Sequence, residues 1–279
     1  GLYGFRLTFQ QVAEVRRSAI AVDAVVVVVT LLLGILLGRL LRLDGQTALM
    51  TATGSAICGA AAVLGAEPVV RCEPHKTAVA VSTVVLFGTL SMFLYPVMYR
   101  AGWLDGLTSQ GVAVYAGATL HEVAHVVGAG AAIDAAGGQV ADAATITKMI
   151  RVMMLAPVLV AMGLLLARRD VRAGADGSGG AAAGKRKVAV PWFAFWFLAV
   201  IGLHSLLRSA AFIPSGVLDT AVGLIDDFDT FLLTMAMTAL GAETSFDKFR
   251  QAGVKPFLLA GGLYVWLVAG GYYLARWIC

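Results

Sequence analysis

From Ala24 to Leu37 the chain carries no charged residue, and longer apolar runs follow. A helix needs about 20 such residues to cross the hydrocarbon core of a bilayer. A transmembrane β-barrel would instead alternate apolar and polar positions in short segments. Composition agrees: 59% of residues are hydrophobic and 14% charged, against roughly half and a quarter in soluble domains. The chain therefore reads as all-α, a polytopic helical bundle whose solvent is lipid. The net charge of +4 is confined to a few loops and speaks to membrane topology, not to nucleic acid. Cys58, Cys72 and Cys279 are odd in number and far apart, so neither a disulfide framework nor a cysteine zinc site is implied.

Apolar segments are expected to span at about 19–37, 47–64, 77–99, 110–133, 143–167, 191–207, 231–241 and 255–278. Residues 168–190 read as a flexible, solvated linker, rich in Gly, Ala and Ser and carrying Arg168, Arg169, Arg172, Lys185, Arg186 and Lys187. The linker separates a membrane half, 1–167, from C-terminal membrane helices at 191–279. An acidic loop is expected around Asp219, Asp226, Asp227 and Asp229. The positive-inside rule places the linker in the cytoplasm and the loop at Asp134 and Asp142 outside. With every segment counted as a crossing, Arg16 and Arg17 fall outside, against that rule. The chain opens on Gly1 and enters at once into Leu2-Tyr3-Gly4-Phe5-Arg6. Part of the N-terminus is therefore expected to be missing, and the helix count is a lower bound.

Two self-similarities suggest internal repeats. Leu43-Asp44-Gly45-Gln46-Thr47 recurs as Leu104-Asp105-Gly106-Leu107-Thr108, and Met92, Leu94 and Pro96 recur as Met153, Leu155 and Pro157, both at an offset of 61 (104 − 43 = 61). After a two-residue slip, Gly54 to Cys58 corresponds to Gly117 to His121. Each unit then holds two crossings, so both should face the same way. Leu2 to Phe9 also resembles Ala239 to Phe246. Those segments lie an odd number of crossings apart, which is the mark of an inverted repeat.

The polar centre of this apolar chain is Thr119-Leu120-His121-Glu122-Val123-Ala124-His125. His-Glu-x-x-His is a zinc peptidase signature. On one helix His121 and His125 would share a face and Glu122 would be the general base. A catalytic zinc needs a third protein ligand, and the downstream acids lack a suitable context, so the protease is the rival reading. The transporter reading uses more of the chain. Gly54, Ser55 and Gly59, and later Gly117 beside Thr119, weaken their helices. Unwound backbone at membrane depth is tolerated only where protein or a cavity satisfies it. The half-helix that follows such a break presents free N–H groups to an anion. Candidate substrate contacts are Thr53, Gly54, Ser55, Cys58, Gly59, Thr119, His121, Lys148 and Arg151. Glu122 is the candidate coupling residue, with His125 relaying one turn on. Lys148 and Arg151 could hold an oxyanion, neutralise Glu122, or snorkel to the interface.

Three groups of residues carry a family resemblance. They are Gly54-Ser55-Ala56-Ile57-Cys58-Gly59 with Glu67-Pro68, Leu86-Phe87-Gly88-Thr89-Leu90 with Tyr95-Pro96, and Thr119 to Ala124 followed by Lys148, Arg151 and Leu155-Ala156-Pro157. With Met235-Ala236-Met237 and Leu240-Gly241, they resemble the YeiH-like sulfate exporter family of bacterial membrane proteins. That family is similar to the bile acid:sodium symporter and sodium–proton antiporter superfamily. The resemblance implies inverted repeats and two discontinuous helices. It also implies a multi-pass protein of the bacterial cytoplasmic (inner) membrane. Here Ser55-Ala56 stands where the family has Thr-Ser, and His125 where it has Gln.

The expected function is secondary transport, not enzymatic, of a small inorganic or organic anion, sulfate or a sulfonate, by alternating access. H+ or Na+ would be the coupling ion. No cofactor and no metal are expected, and a homodimer is left open. A non-transporting sensor on the same fold is a third reading.

Overall fold

The computed structural model describes residues 17–134, 139–175, 192–209 and 253–279, together with helical positions between 220 and 238. Among the described residues the regular structure is all helix. The elements are α1 (Arg17–Leu40), α2 (Gly45–Ala56), α3 (Ala60–Val70), α4 (Pro74–Arg100), α5 (Ser109–Thr119), α6 (Val123–Ile133), α7 (Gln139–Ala175), α8 (Trp192–Ser209), α9 (Val254–Val265) and α10 (Gly271–Ile278). A π turn at Trp266–Gly270 joins the last two. Among the described residues four helical stretches are long and apolar enough to cross a membrane: Ser18–Leu40, Pro74–Arg100, Gln139–Arg168 and Val254–Ile278. The chain is thus a helical membrane bundle, and its flanks expose Leu32, Leu36, Phe93 and Leu165 as a lipid-facing surface would.

The two expected discontinuities exist, but their path differs from the expectation. The breaks fall at 57–59 and 120–122, within the segments expected around Ser55 and His121 and a few residues past Gly54 and Gly117. Both of those glycines stay helical and serve close packing. A Cβ on Gly54 would meet Val63 and Val84, and one on Gly117 would meet Ala144 and Thr147.

Neither broken segment runs straight through. Gln46, at the start of α2, donates from Nε2 to the carbonyl of Arg71, which caps the end of α3, at 3.2 Å. A straight path through those two helices would hold the residues ~35 Å apart. The segment instead enters the bundle, turns at 57–59 and returns to the same end. Lys76, at the start of α4, ties that end together, reaching Gln46 Oε1 at 3.0 Å, Glu73 Oε1 at 3.1 Å and Asp44 Oδ2 at 3.2 Å. α4 then crosses to the opposite end.

The second broken segment enters from that opposite end. α5 starts after the short 101–108 connection. α6 runs back alongside α4, with His125 against Gly88 and Gly128 against Met92. Arg100 Nη2 then donates to the carbonyl of Ala132 at 3.2 Å, which closes this hairpin at the end where it began. α7 starts there, with Ala141 against Gly130, and crosses back, packing Leu155, Leu159 and Met162 against Val63, Ala66 and Val70 of the first hairpin. Each of the two stretches offset by 61 residues therefore holds one hairpin and one long helix. The expectation of two crossings in each stretch is corrected, because each hairpin returns to the end from which it enters.

Each hairpin has a local cause. α2 is capped by Asp44, which accepts from the Thr47 amide at 3.2 Å. α5 is capped by Thr108, whose hydroxyl accepts from the Gly111 amide at 3.0 Å. Side-chain oxygens at these positions satisfy otherwise orphaned amides. The first turn rests on Gly59, whose φ of 68° suits glycine. Pro68, Pro96 and Pro157 all lie inside helices without ending them.

Other expectations need smaller corrections. α7 continues to Ala175, so the first eight residues read as linker are helical. Positions 220–225 and 227–228 are helical where an acidic loop was expected. Most of the segment at 231–241 and both copies of the Leu2 to Phe9 similarity lie outside the described residues.

Candidate site at the meeting of the hairpin tips

The two tips meet inside the bundle. The Glu122 carboxylate fills the space left open at Gly59: a Cβ there would sit 2.5 Å from Glu122 Cγ. Glu122 Oε1 accepts from the Ala60 amide at 3.2 Å. The acid of the second tip thus caps the first turn of α3, the helix that leaves the first tip. Helix N-termini favour such an anion. Its other oxygen, Oε2, has no hydrogen-bond partner and lies 3.9 Å from His125 Nδ1.

α7 supplies two cations at this level. Lys148 and Arg151 are fully buried, which excludes snorkelling. Lys148 Nζ donates to the carbonyls of Ile57 at 2.8 Å and Leu120 at 2.5 Å, one from each tip. Arg151 donates to the carbonyl of Ala118 from Nη1, and to those of Ala56 at 2.6 Å and Ser55 at 3.2 Å from Nη2. These carbonyls end α2 and α5, the two inbound arms. A helix C-terminus leaves its last carbonyls unpaired and carries negative partial charge. The cations answer both needs and bolt the tips together.

What these bonds leave over is informative. Arg151 Nε, Ser55 Oγ, Thr51 Oγ1, His121 Nδ1 and His125 Nδ1 are buried and unpartnered. Buried polar groups are normally satisfied, so several such atoms at one junction need an explanation. Most of them are donors or can become donors. The first turn of α6 has no side-chain cap either.

The candidate residues fall into two groups. Ser55, Cys58, Gly59, His121, Glu122, His125, Lys148 and Arg151 come together at the tips. Thr53, Gly54 and Thr119 are committed elsewhere. Thr53 Oγ1 donates to Leu49 O at 2.7 Å, Gly54 spaces the hairpin arms, and Thr119 Oγ1 donates to Tyr115 O at 2.6 Å. Thr119 also meets Tyr95 Oη at 2.8 Å, and Tyr95 stacks on Tyr115 at 4.8 Å between ring centres. Tyr115 in turn donates to the Val268 carbonyl in the π turn at 3.0 Å.

Sequence reasoning missed Asp23. It lies on α1 with no exposure, and neither of its oxygens has a partner. The signal was present, since an acid in mid-span is a functional hypothesis in its own right.

The zinc reading finds no support. His121 lies in the break and His125 in the first turn of α6, so the two do not share one helix face. Among the described residues no three metal-ligating side chains gather.

Comparison with known proteins agrees with a membrane protein and gives no activity. A UPF0324 membrane protein of Bacteroides thetaiotaomicron is 54% identical over 277 residues, covering 99% of this chain and 77% of the relative. One from Bordetella bronchiseptica is 51% identical over 275 residues, covering 98% and 80%. One from Pseudomonas putida is 47% identical over 270 residues, covering 96% and 71%. No solved structure matches the chain. Residues 1–260 match the family described as Conserved hypothetical protein 698, and the chain belongs to that family.

Proposed function

We propose that this protein is a secondary transporter of a small anion, sulfate or an organic sulfonate in class, in the bacterial cytoplasmic membrane. The observation that carries the reading is the group of unpartnered buried polar atoms where the tips meet, Arg151 Nε, Ser55 Oγ and His121 Nδ1 among them, beside two buried cations. A tetrahedral or sulfonate oxyanion would satisfy Arg151 Nε, Ser55 Oγ and His121 together. It would also draw on the positive end of α6. Glu122 already holds the corresponding position at α3, its carboxyl accepting from the Ala60 amide. Proton uptake there would weaken that bond and loosen the contact between the tips, which gives alternating access a physical lever. The resemblance to the YeiH-like exporters and their antiporter relatives points the same way.

Orientation follows from the hairpins. If hairpins are not crossings, Arg39, Arg42, Arg71 and Lys76 share one end of the bundle with the last turns of α7, which carry Arg168, Arg169 and Arg172. Arg100, Asp105, Asp134 and Asp142 share the other. The first end then faces the cytoplasm. The 61-residue units become inverted copies, as in many transporters whose sites lie at the midplane.

The test is efflux of labelled sulfate from proteoliposomes that hold the full-length protein. Wild type should show flux that depends on pH, and Glu122→Gln should abolish it. Unchanged, pH-dependent flux in that variant removes Glu122 from the mechanism. No flux of sulfate or of methanesulfonate in wild type would favour a sensor.

A further inference from the structure

Asp23 is the one ionised-type side chain between Ser18 and Gly38. Its helix neighbours Ala19, Val22, Val26, Val27 and Thr30 are all buried, so Asp23 sits at the centre of the α1 face that packs inward. Val22 and Val26 pack with Val114, Ala118 and Leu267. The carbonyl of that same Ala118 receives Arg151. Asp23 therefore points into the layer that holds the inbound arm of the second hairpin against α7. Arg151 and Lys148 are the two buried cations of α7, against which α1 packs. α1 also packs against α2, α5, α9, the π turn and α10. α2 carries no ionisable side chain. Tyr115 of α5 is turned to Val268, and Tyr272 and Arg276 of α10 lie by Gly106. Neither Asp23 oxygen has a hydrogen-bond partner, and Arg151 Nε has none.

A buried carboxylate without a hydrogen bond is costly. A structural acid would be closed onto Arg151 as an ion pair, but no ion pair within 4.0 Å joins them. What favours the ionised form of Asp23 is the field of the two cations. An anion bound at the same cations cancels that field. With the anion present, the carboxylate gains by taking a proton from water.

We propose that Asp23 takes up a proton when the anion binds at Arg151 and Lys148, and releases it when the anion leaves. The proton, taken from water, forms an O–H bond on the carboxylate, so one negative charge on α1 is neutralised as the anion's charge (one on a sulfonate, two on sulfate) arrives. This rests on the anion-binding reading above. It adds a second acid to Glu122 and predicts that proton and anion travel in the same direction. Asp23 is a positioning residue, acting on the anion through Arg151.

The experiment is calorimetric titration of the detergent-solubilised full-length protein with sodium sulfate, in two buffers of different ionisation heat. The difference between the buffers counts the protons taken up. Asp23→Asn should still bind sulfate but take up one proton fewer, and its affinity should vary less with pH. An unchanged proton count in Asp23→Asn overturns the inference even if its stability has changed. If wild type binds neither sulfate nor methanesulfonate, the anion reading itself fails, and this inference falls with it. Should Asp23→Asn not fold, infrared difference spectra of wild type with and without sulfate decide the matter. A protonated-carboxyl band that grows with sulfate, and shifts on 13C-labelling of aspartate, is expected. A spectrum without such a band overturns the proposal.

Discussion

The first hairpin turns on Ile57, Cys58 and Gly59, the second on Leu120, His121 and Glu122. Both outgoing arms are eleven residues long, and Gly59 and Glu122 stand at the same N-cap position before them. The first tip carries no strongly ionisable group, and its arms close on each other at Gly54 and Val63. The second tip carries the acid and a histidine, and its arms lie against α4 and α7. The difference is complementary. The first tip offers a vacant Cβ position and a free amide at Ala60, and the second offers the carboxylate that fills both. Two hairpins from opposite ends can meet in an apolar interior because one is smallest where the other is charged.

The comparison breaks most severely at the group both tips share. Arg151→Met removes the donor to Ala118 of the second hairpin and to Ser55 and Ala56 of the first. Removing one side of a buried charged interaction costs roughly 3–5 kcal/mol. The thermal midpoint in detergent should fall further for this variant than for any other discussed below. A smaller fall than for a tip substitution would mean that the cations do not hold the hairpins together.

Next in size is the tip contact itself. Gly59→Ala must place a Cβ at φ 68° and against Glu122. The backbone term alone is about 1–3 kcal/mol. Adding Glu122→Ala should recover the steric part, with a coupling on the order of 0.5–3 kcal/mol in a double-mutant cycle. Additive losses would show that the two tips do not meet at this point. Glu122→Gln separates charge from shape: it should cost less stability than Glu122→Ala, because the side chain still fills the space at Gly59, while removing pH-dependent flux.

The crossings were legible in the sequence because lipid imposes a length and a polarity on them. α1, α4, α7 and α9–α10 all fall where long apolar runs predict. The hairpins were legible only as weak helices. Apolar runs at 47–64 and 110–133 fit one crossing each as well as they fit a hairpin. What decides between the two is Gln46 with Arg71 and Arg100 with Ala132, and no periodicity encodes those long-range bonds. The site followed the same pattern. His121 and Glu122 stood out because ionisable residues in apolar sequence are rare. Thr53 and Thr119 did not declare that their hydroxyls were spent on their own helices. Asp23 was hidden inside the most apolar run in the chain.

The smallest effect should appear where the hairpins begin. Asp44 caps α2 and Thr108 caps α5, and replacing either by Ala should cost about 1 kcal/mol. Only Asp44 carries a charge. Its slight burial works against ionisation. The Thr47 amide and Lys76 outweigh that and hold its carboxyl below the usual carboxylate range. An acid with a lowered folded-state value adds stability that is complete above its unfolded value, near 4, and is lost as pH falls through the folded one. The side chain is half exposed, so screening keeps the charge contribution under about 1 kcal/mol. Hydrogen exchange at the Thr47 amide should therefore quicken, relative to its intrinsic rate, as pH drops below about 4. Exchange at Gly111, capped by a hydroxyl, should show no such step. Equal acid sensitivity at the two amides would show that the pairing of Asp44 with Lys76 contributes nothing to the first hairpin.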